Sequence, residues 1–130
     1  MKTEYPFGMN AVINVKRIYD GYDPADGFRI LVDRLWPRGV SKEKAHLDLW
    51  AKDIAPTDKT REAFHHEDDK WAQFKKEYTA ELEKNSEAVQ DLLSAIRGKK
   101  KVTLLFGAKN VQHNQAVVLK AFLERGKPRH

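Results

Sequence analysis

"FRILVDR", Phe28 to Arg34, decides the fold class. Its centre, Ile30-Leu31-Val32, is an unbroken apolar run. A half-buried strand alternates apolar and polar residues. A continuous run of this length reads instead as a strand covered on both faces, the habit of parallel sheets with helices packed against them. The run ends directly in charge, at Asp33 and Arg34.

Two further segments carry strand signals. "AVINVKRIY" (Ala11–Tyr19) is rich in β-branched residues, and "KVTLLFGAKN" (Lys101–Asn110) is an apolar strand leaving through a glycine turn. "DGYDPADG" (Asp20–Gly27) is a loop by its Asp, Gly and Pro content. Ser41 predicts the N-cap of a short helix through about His46. "LDLWAKDIAP" (Leu47–Pro56) is ambiguous between a short strand and an irregular segment. Thr57 or Asp58 caps a helix over "KTREAF". Asp68 or Asp69 then starts a long helix with Trp71, Phe74, Tyr78 and Leu82 on one face. Ser86 opens another, with Val89, Leu92, Leu93 and Ile96 inward and Gly98 closing it. "QHNQAVVLKAFLERG" (Gln112–Gly126) is a final helix. Long helical crossovers between apolar strands predict a single compact α/β domain over 11–125. Its core is a small, mainly parallel sheet of three to four strands with helices packed on it. Residues 1–10 and 126–130 are expected to be flexible termini.

The chain has 130 residues, enough for one domain to bury a core without disulfides or metals. It contains no cysteine, which excludes disulfides, thiolate nucleophiles and thiolate metal sites. No apolar run reaches the roughly 18 residues that a membrane span needs. Residues 1–10 lack a signal-peptide core, so a cytoplasmic location without membrane contact is expected. The formal charge of +5 favours anionic partners. An anionic small molecule fits that balance, and nucleic acid is the second candidate. The Lys99–Lys101 run and the tail after Gly126 supply much of the excess, and a solvated surface explains both.

In open α/β sheets ligands gather at the carboxyl ends of the strands. Two such ends are furnished here. The first is "LVDRLWPRGVSK", with Asp33, Arg34, Trp36, Arg38 and Lys42. The second is "FGAKNVQHN", with Lys109, Asn110, His113 and Asn114. Arg34, Arg38, Lys42, Lys109, Asn110 and Asn114 are candidate ligand-binding residues. Arginine supplies a planar fork for phosphate or carboxylate, and lysine a point charge. Asp33 and His113 are the candidate acid–base pair. Each has a plainer reading: Asp33 pairs with an arginine or a backbone N–H, Trp36 packs, and His113 caps a helix. "HHEDDK" (His65–Lys70) has metal-ligating residue types without metal-site spacing, and a helix junction explains it, so no metal is assigned. No nucleotide-loop, dinucleotide or esterase motif occurs, and no cofactor is expected.

"VDRLWPRG", "REAFHHEDDKWAQFKKEYTAEL" and "AKNVQHNQAVVLK" resemble the YeaO-like proteins, small bacterial members of the grouping called domain of unknown function 488. The resemblance runs from about Val15 to Leu123. It implies no established activity. Longer relatives of the wider grouping carry a cysteine at the end of the corresponding last strand and a Cys-His-Arg run at the next helix start. Here those positions hold Phe106 and Asn114-Gln115-Ala116, so the resemblance carries no thiol chemistry over. Three functions compete: a binding module for a phosphorylated or otherwise anionic small molecule, a hydrolase or transferase acting on such a ligand through Asp33 and His113, and a nucleic-acid-binding protein.

Overall fold

In the computed structural model, residues 11–65 and 67–125 are described. His66 and the two termini, 1–10 and 126–130, with the expectation that those termini are flexible, lie outside them. Among the described residues four strands form one all-parallel sheet: β1 (Val12–Arg17), β2 (Phe28–Leu31), β3 (Leu49–Trp50) and β4 (Lys101–Phe106), in the order β1-β4-β2-β3. Five helices accompany it among the described residues: α1 (Lys42–Ala45), α2 (Asp58–Phe64), α3 (Trp71–Lys84), α4 (Ser86–Ile96) and α5 (Gln115–Leu123). The expected α/β class and parallel sheet are both present. The last strand in sequence, β4, inserts between the first two. That insertion makes it the most buried strand, with Val102 to Phe106 all inaccessible.

The sheet has two unequal covers. On one face, α2 to α5 build the main core around Ile30, Val32, Leu104 and Phe106. Phe74, Tyr78 and Leu82 of α3 lie inward as their spacing predicts, and Tyr78 donates from its hydroxyl to the Ile54 carbonyl at 2.6 Å. On the other face a smaller cluster of Ile18, Leu31, Ala45 and Leu105 is roofed by Trp36, Val40, Leu47 and Trp50. Arg29 is buried on β2. It donates to the carbonyls of Ala45 and His46 and pairs with Asp26, which also holds Lys16 at 3.0 Å. This guanidinium ties α1 and the loop before β2 to the sheet, with its donors matched to acceptors as burial demands.

Several boundaries differ from the sequence reading, each for a local reason. The ambiguous Leu47–Pro56 segment supplies a two-residue edge strand and then a 3-10 turn at Lys52–Ile54. The final helix starts at Gln115 rather than Gln112. Asn110 folds its side-chain oxygen onto the N–H groups of Gln112 and His113, and Asn114 caps the helix through the Val117 N–H. The long helix starts at Trp71, after a 3-10 turn at Asp68–Lys70. Asp68 does not cap it, because its carboxylate is turned to the loop before α5.

Candidate functional site

Neighbouring strands β2 and β4 send their chains to opposite faces of the sheet. After β2 the chain crosses to the small cluster, where Ala45 packs. After β4 it crosses to the main core, where α5 packs. Such a reversal between neighbouring parallel strands opens a crevice at their carboxyl ends. A cavity of about 160 Å³ lies there, lined by Asp33, Arg34, Arg61, Phe64, Phe74 and Gln115, with Leu35, Ala55, Pro56 and Ala108.

Asp33 is the polar centre of the cleft. One carboxylate oxygen accepts the Gly107 N–H at 2.9 Å, and the other accepts the Gln115 side-chain amide. Its own carbonyl accepts the Trp50 indole N–H at 2.8 Å. The plainer reading of Asp33, a backbone N–H partner, is therefore present, but that partner lies across the cleft rather than in its own loop. Burial pushes the Asp33 carboxyl from 3.8 up to about 6, against the two hydrogen bonds that favour its ionised form. A Cβ on Gly107 would stand 2.9 Å from the Asp33 carboxylate oxygen, so the carboxylate would have to shift to admit it.

Two guanidinium groups stand at the cleft. Arg34 spends donors on the carbonyls of Ala55 at 3.2 Å and Pro56 at 3.3 Å, which fixes its arm. Arg61, on α2, pairs with Asp58 at 3.2 Å, and the Arg34 Nε is 4.0 Å from the same carboxylate. Arg61 was not among the residues singled out from the sequence. Nothing local distinguishes it from a solvated helix charge; only the packing of α2 against α3 brings it to the cleft. Arg17 was missed as well. It ends β1 and donates to the Ala108 carbonyl at 2.9 Å, while its guanidinium lies 4.9 Å from the centre of the Tyr19 ring.

The other expected residues are placed as follows. Arg38 and Lys42 are exposed on the connection after β2 and do not line the cleft. Its carbonyl, rather than its guanidinium, anchors Arg38, through the Tyr19 hydroxyl at 2.8 Å. Lys109 is exposed at the turn after β4 and also stands outside the cleft lining. Asn110 and Asn114 brace the loop, Asn114 without exposed surface. His113 faces elsewhere: its ring stacks on Trp71 at 4.5 Å, and its Nδ1 lies 2.8 Å from Asp68. It lines a groove between α3 and α5 rather than the cleft holding Asp33. Trp36 is used in packing, edge-on to Trp50 at 5.3 Å.

The family model DUF488-N3i, described as the inactive DUF488-N3 subclade, matches residues 12–129. The chain belongs to this family. It is 45% identical over 111 residues to the uncharacterized protein YeaO of Escherichia coli K12, covering 85% of this chain and 96% of that one. It is 34% identical over 111 residues to the uncharacterized protein Rv3073c of Mycobacterium tuberculosis H37Rv, covering 85% and 92%. The YeaO-like membership inferred from "VDRLWPRG" and "AKNVQHNQAVVLK" is thus confirmed. No solved structure matches the chain. Among the described residues no helix is long and apolar enough to cross a membrane.

Proposed function

We propose that this DUF488-N3i protein is a cytoplasmic binding module that holds an anionic small molecule, phosphorylated or carboxylate-bearing, in the cleft between β2 and β4. One observation carries the reading: Arg34 and Arg61, both lining the cleft, converge on a single carboxylate, Asp58. Asp58 is largely exposed and free to swing away, so a ligand anion can take its place between the two forks. The apolar wall of Phe64, Phe74 and Pro56 accommodates the body of the ligand. At about 160 Å³ the cleft suits a small metabolite, below the roughly 300–1,000 Å³ of drug-sized sites. Arg38, Lys42 and Lys109, exposed on the flanking loops, supply an outer positive field.

The family description, an inactive subclade, favours a protein without turnover. The hydrolase or transferase reading needs Asp33 and His113 at one ligand, and they line different depressions. The nucleic-acid reading rests on the net charge alone. The test is a thermal-shift screen with inorganic phosphate, phosphate esters, nucleotides and dicarboxylates. Anionic compounds should raise the Tm of the wild type and leave an Arg34→Gln/Arg61→Gln variant unmoved. Equal stabilisation of both proteins would overturn the assignment. An Arg38→Ala/Lys109→Ala variant should respond less than the wild type but more than the cleft variant.

A further inference from the structure

A second depression, independent of the anion cleft, runs between α3 and α5 and encloses about 840 Å³. Trp71 and His113 line it at one end, and Phe122, Arg125 and Glu83 at the other, so it follows the whole of α3. The 14 residues of α3 make that length about 21 Å, four turns of helix. The residues facing the groove fall at helical spacing on both sides: Ala72, Lys76, Thr79 and Glu83 on α3, then Val117 and Ala121 on α5. Small side chains along two neighbouring helices leave a furrow into which the ridge of a third helix packs.

We propose that this groove docks an acidic amphipathic helix of a partner protein. Charge selects that occupant. The cations lining the groove are Lys75, Lys76 and Arg125, and Glu83 is its one carboxylate. Glu83 is already paired with Arg125 at 3.2 Å. Lys75 and Lys76 have no ion pair among the described residues. Two unneutralised cations on the rim of an apolar furrow match a helix with leucine-like residues on one face and Asp or Glu flanking it. A second copy docked groove to groove would bring Lys75 and Lys76 against like charge, which disfavours self-association. The groove also keeps a donor in reserve. The indole N–H groups of Trp36 and Trp50 bond to carbonyls, whereas that of Trp71 has no partner among the described residues. A half-buried tryptophan with a free donor is a common anchor at helix-binding interfaces.

The test is selection from a displayed library of helical peptides with randomised charged positions. The full-length protein is the bait, and an Ala121→Arg variant, which blocks the furrow, is the counter-selection. Enriched peptides should carry an excess of Asp and Glu. Their affinity should fall about tenfold or more on Lys75→Glu/Lys76→Glu, with like charge then facing like. Circular dichroism and the Tm of both variants check that each is folded, and a Lys75→Gln/Lys76→Gln variant serves if the reversal is not. Absence of enrichment over the counter-selection, enrichment of basic or uncharged peptides, or affinity indifferent to Lys75 and Lys76 would each overturn the proposal. So would a concentration-dependent dimer that Ala121→Arg abolishes, because the occupant would then be a second copy.

Discussion

Replacing Asp33 with asparagine should stabilise this protein above pH 6 and leave it nearly unchanged below pH 4. Burial raises the Asp33 carboxyl from 3.8 to about 6. A proton is therefore held more tightly in the folded than in the unfolded chain. Between those two pH values the folded state binds more protons, so the contribution of Asp33 to stability falls as pH rises. It is fully present below 3.8 and has been lost once the pH passes about 6. The difference between 3.8 and about 6 corresponds to about 3 kcal/mol, at roughly 1.36 kcal/mol per pH unit. Asparagine is nearly isosteric and neutral. Its side-chain oxygen still accepts the Gly107 N–H, and Gln115 reverses its amide to accept from the new NH2 group. Allowing for the imperfect replacement, Asp33→Asn should gain about 1–3 kcal/mol at pH 8 relative to the wild type. Urea unfolding of both proteins at half-unit steps from pH 4 to pH 8 measures the difference directly. Subtracting the two curves removes the titration of other groups, Asp26 among them. A difference independent of pH, or one in which the wild type gains on the variant as pH rises, would refute the account of Asp33.

The same ionisation should act on the cleft. A sulfate ester keeps its charge across this range, and it should bind about tenfold tighter at pH 5 than at pH 8, because only an ionised Asp33 repels it; isothermal titration calorimetry on the wild type and Asp33→Asn reads the effect, which the variant should lack. Gly27→Ala should destabilise by more than about 2 kcal/mol in urea titration, since φ is +69° there and the added Cβ would meet the Lys101 carbonyl oxygen at 2.5 Å. Arg29→Met should cost about 2–4 kcal/mol by the same measurement, because it leaves the Ala45 and His46 carbonyls without their donor, removes one of the two cations that hold Asp26, and frees α1 from the sheet.

Those predictions rest on features of unequal legibility. Ile30-Leu31-Val32 announced a doubly covered strand because periodicity and burial are local properties, and the parallel sheet followed from the spacing of strands and helices. Strand order was not legible. That β4 inserts between β1 and β2 depends on packing across most of the chain, and it is what places Gly107 against Asp33. Asp33 and Arg34 were legible as cleft-lining residues because they end a buried strand. Arg61 was not, because its place at the cleft comes from the docking of a helix about thirty residues away. His113 lies away from the cleft for the converse reason. Its position in a loop after β4 put it near the cleft in sequence, but Asn110 and Asn114 turn that loop so that the ring meets Trp71 instead.

Two carboxylates, buried Asp26 and half-buried Asp33, differ in how their charge is compensated. Asp26 lies at the amino ends of the strands, beside Lys16 and Arg29. Burial acts against its charge, but the hydrogen bonds from Lys16, the Asp23 N–H and Arg29 prevail, and its carboxyl is held below the usual 3.8. Its charge is compensated, and the arrangement locks a loop to the sheet. Asp33 lies at the carboxyl ends, with a backbone N–H and an amide as partners and, among the described residues, no cation bonded to it. Its carboxyl moves the other way, so above pH 6 the protein carries a destabilising charge. A cost of about 3 kcal/mol is a large share of the roughly 5–15 kcal/mol that holds a domain folded. Asparagine would supply the same hydrogen bonds without it. An acid kept at that cost, in a crevice where adjacent strands part and two arginines converge, supports the ligand site proposed above.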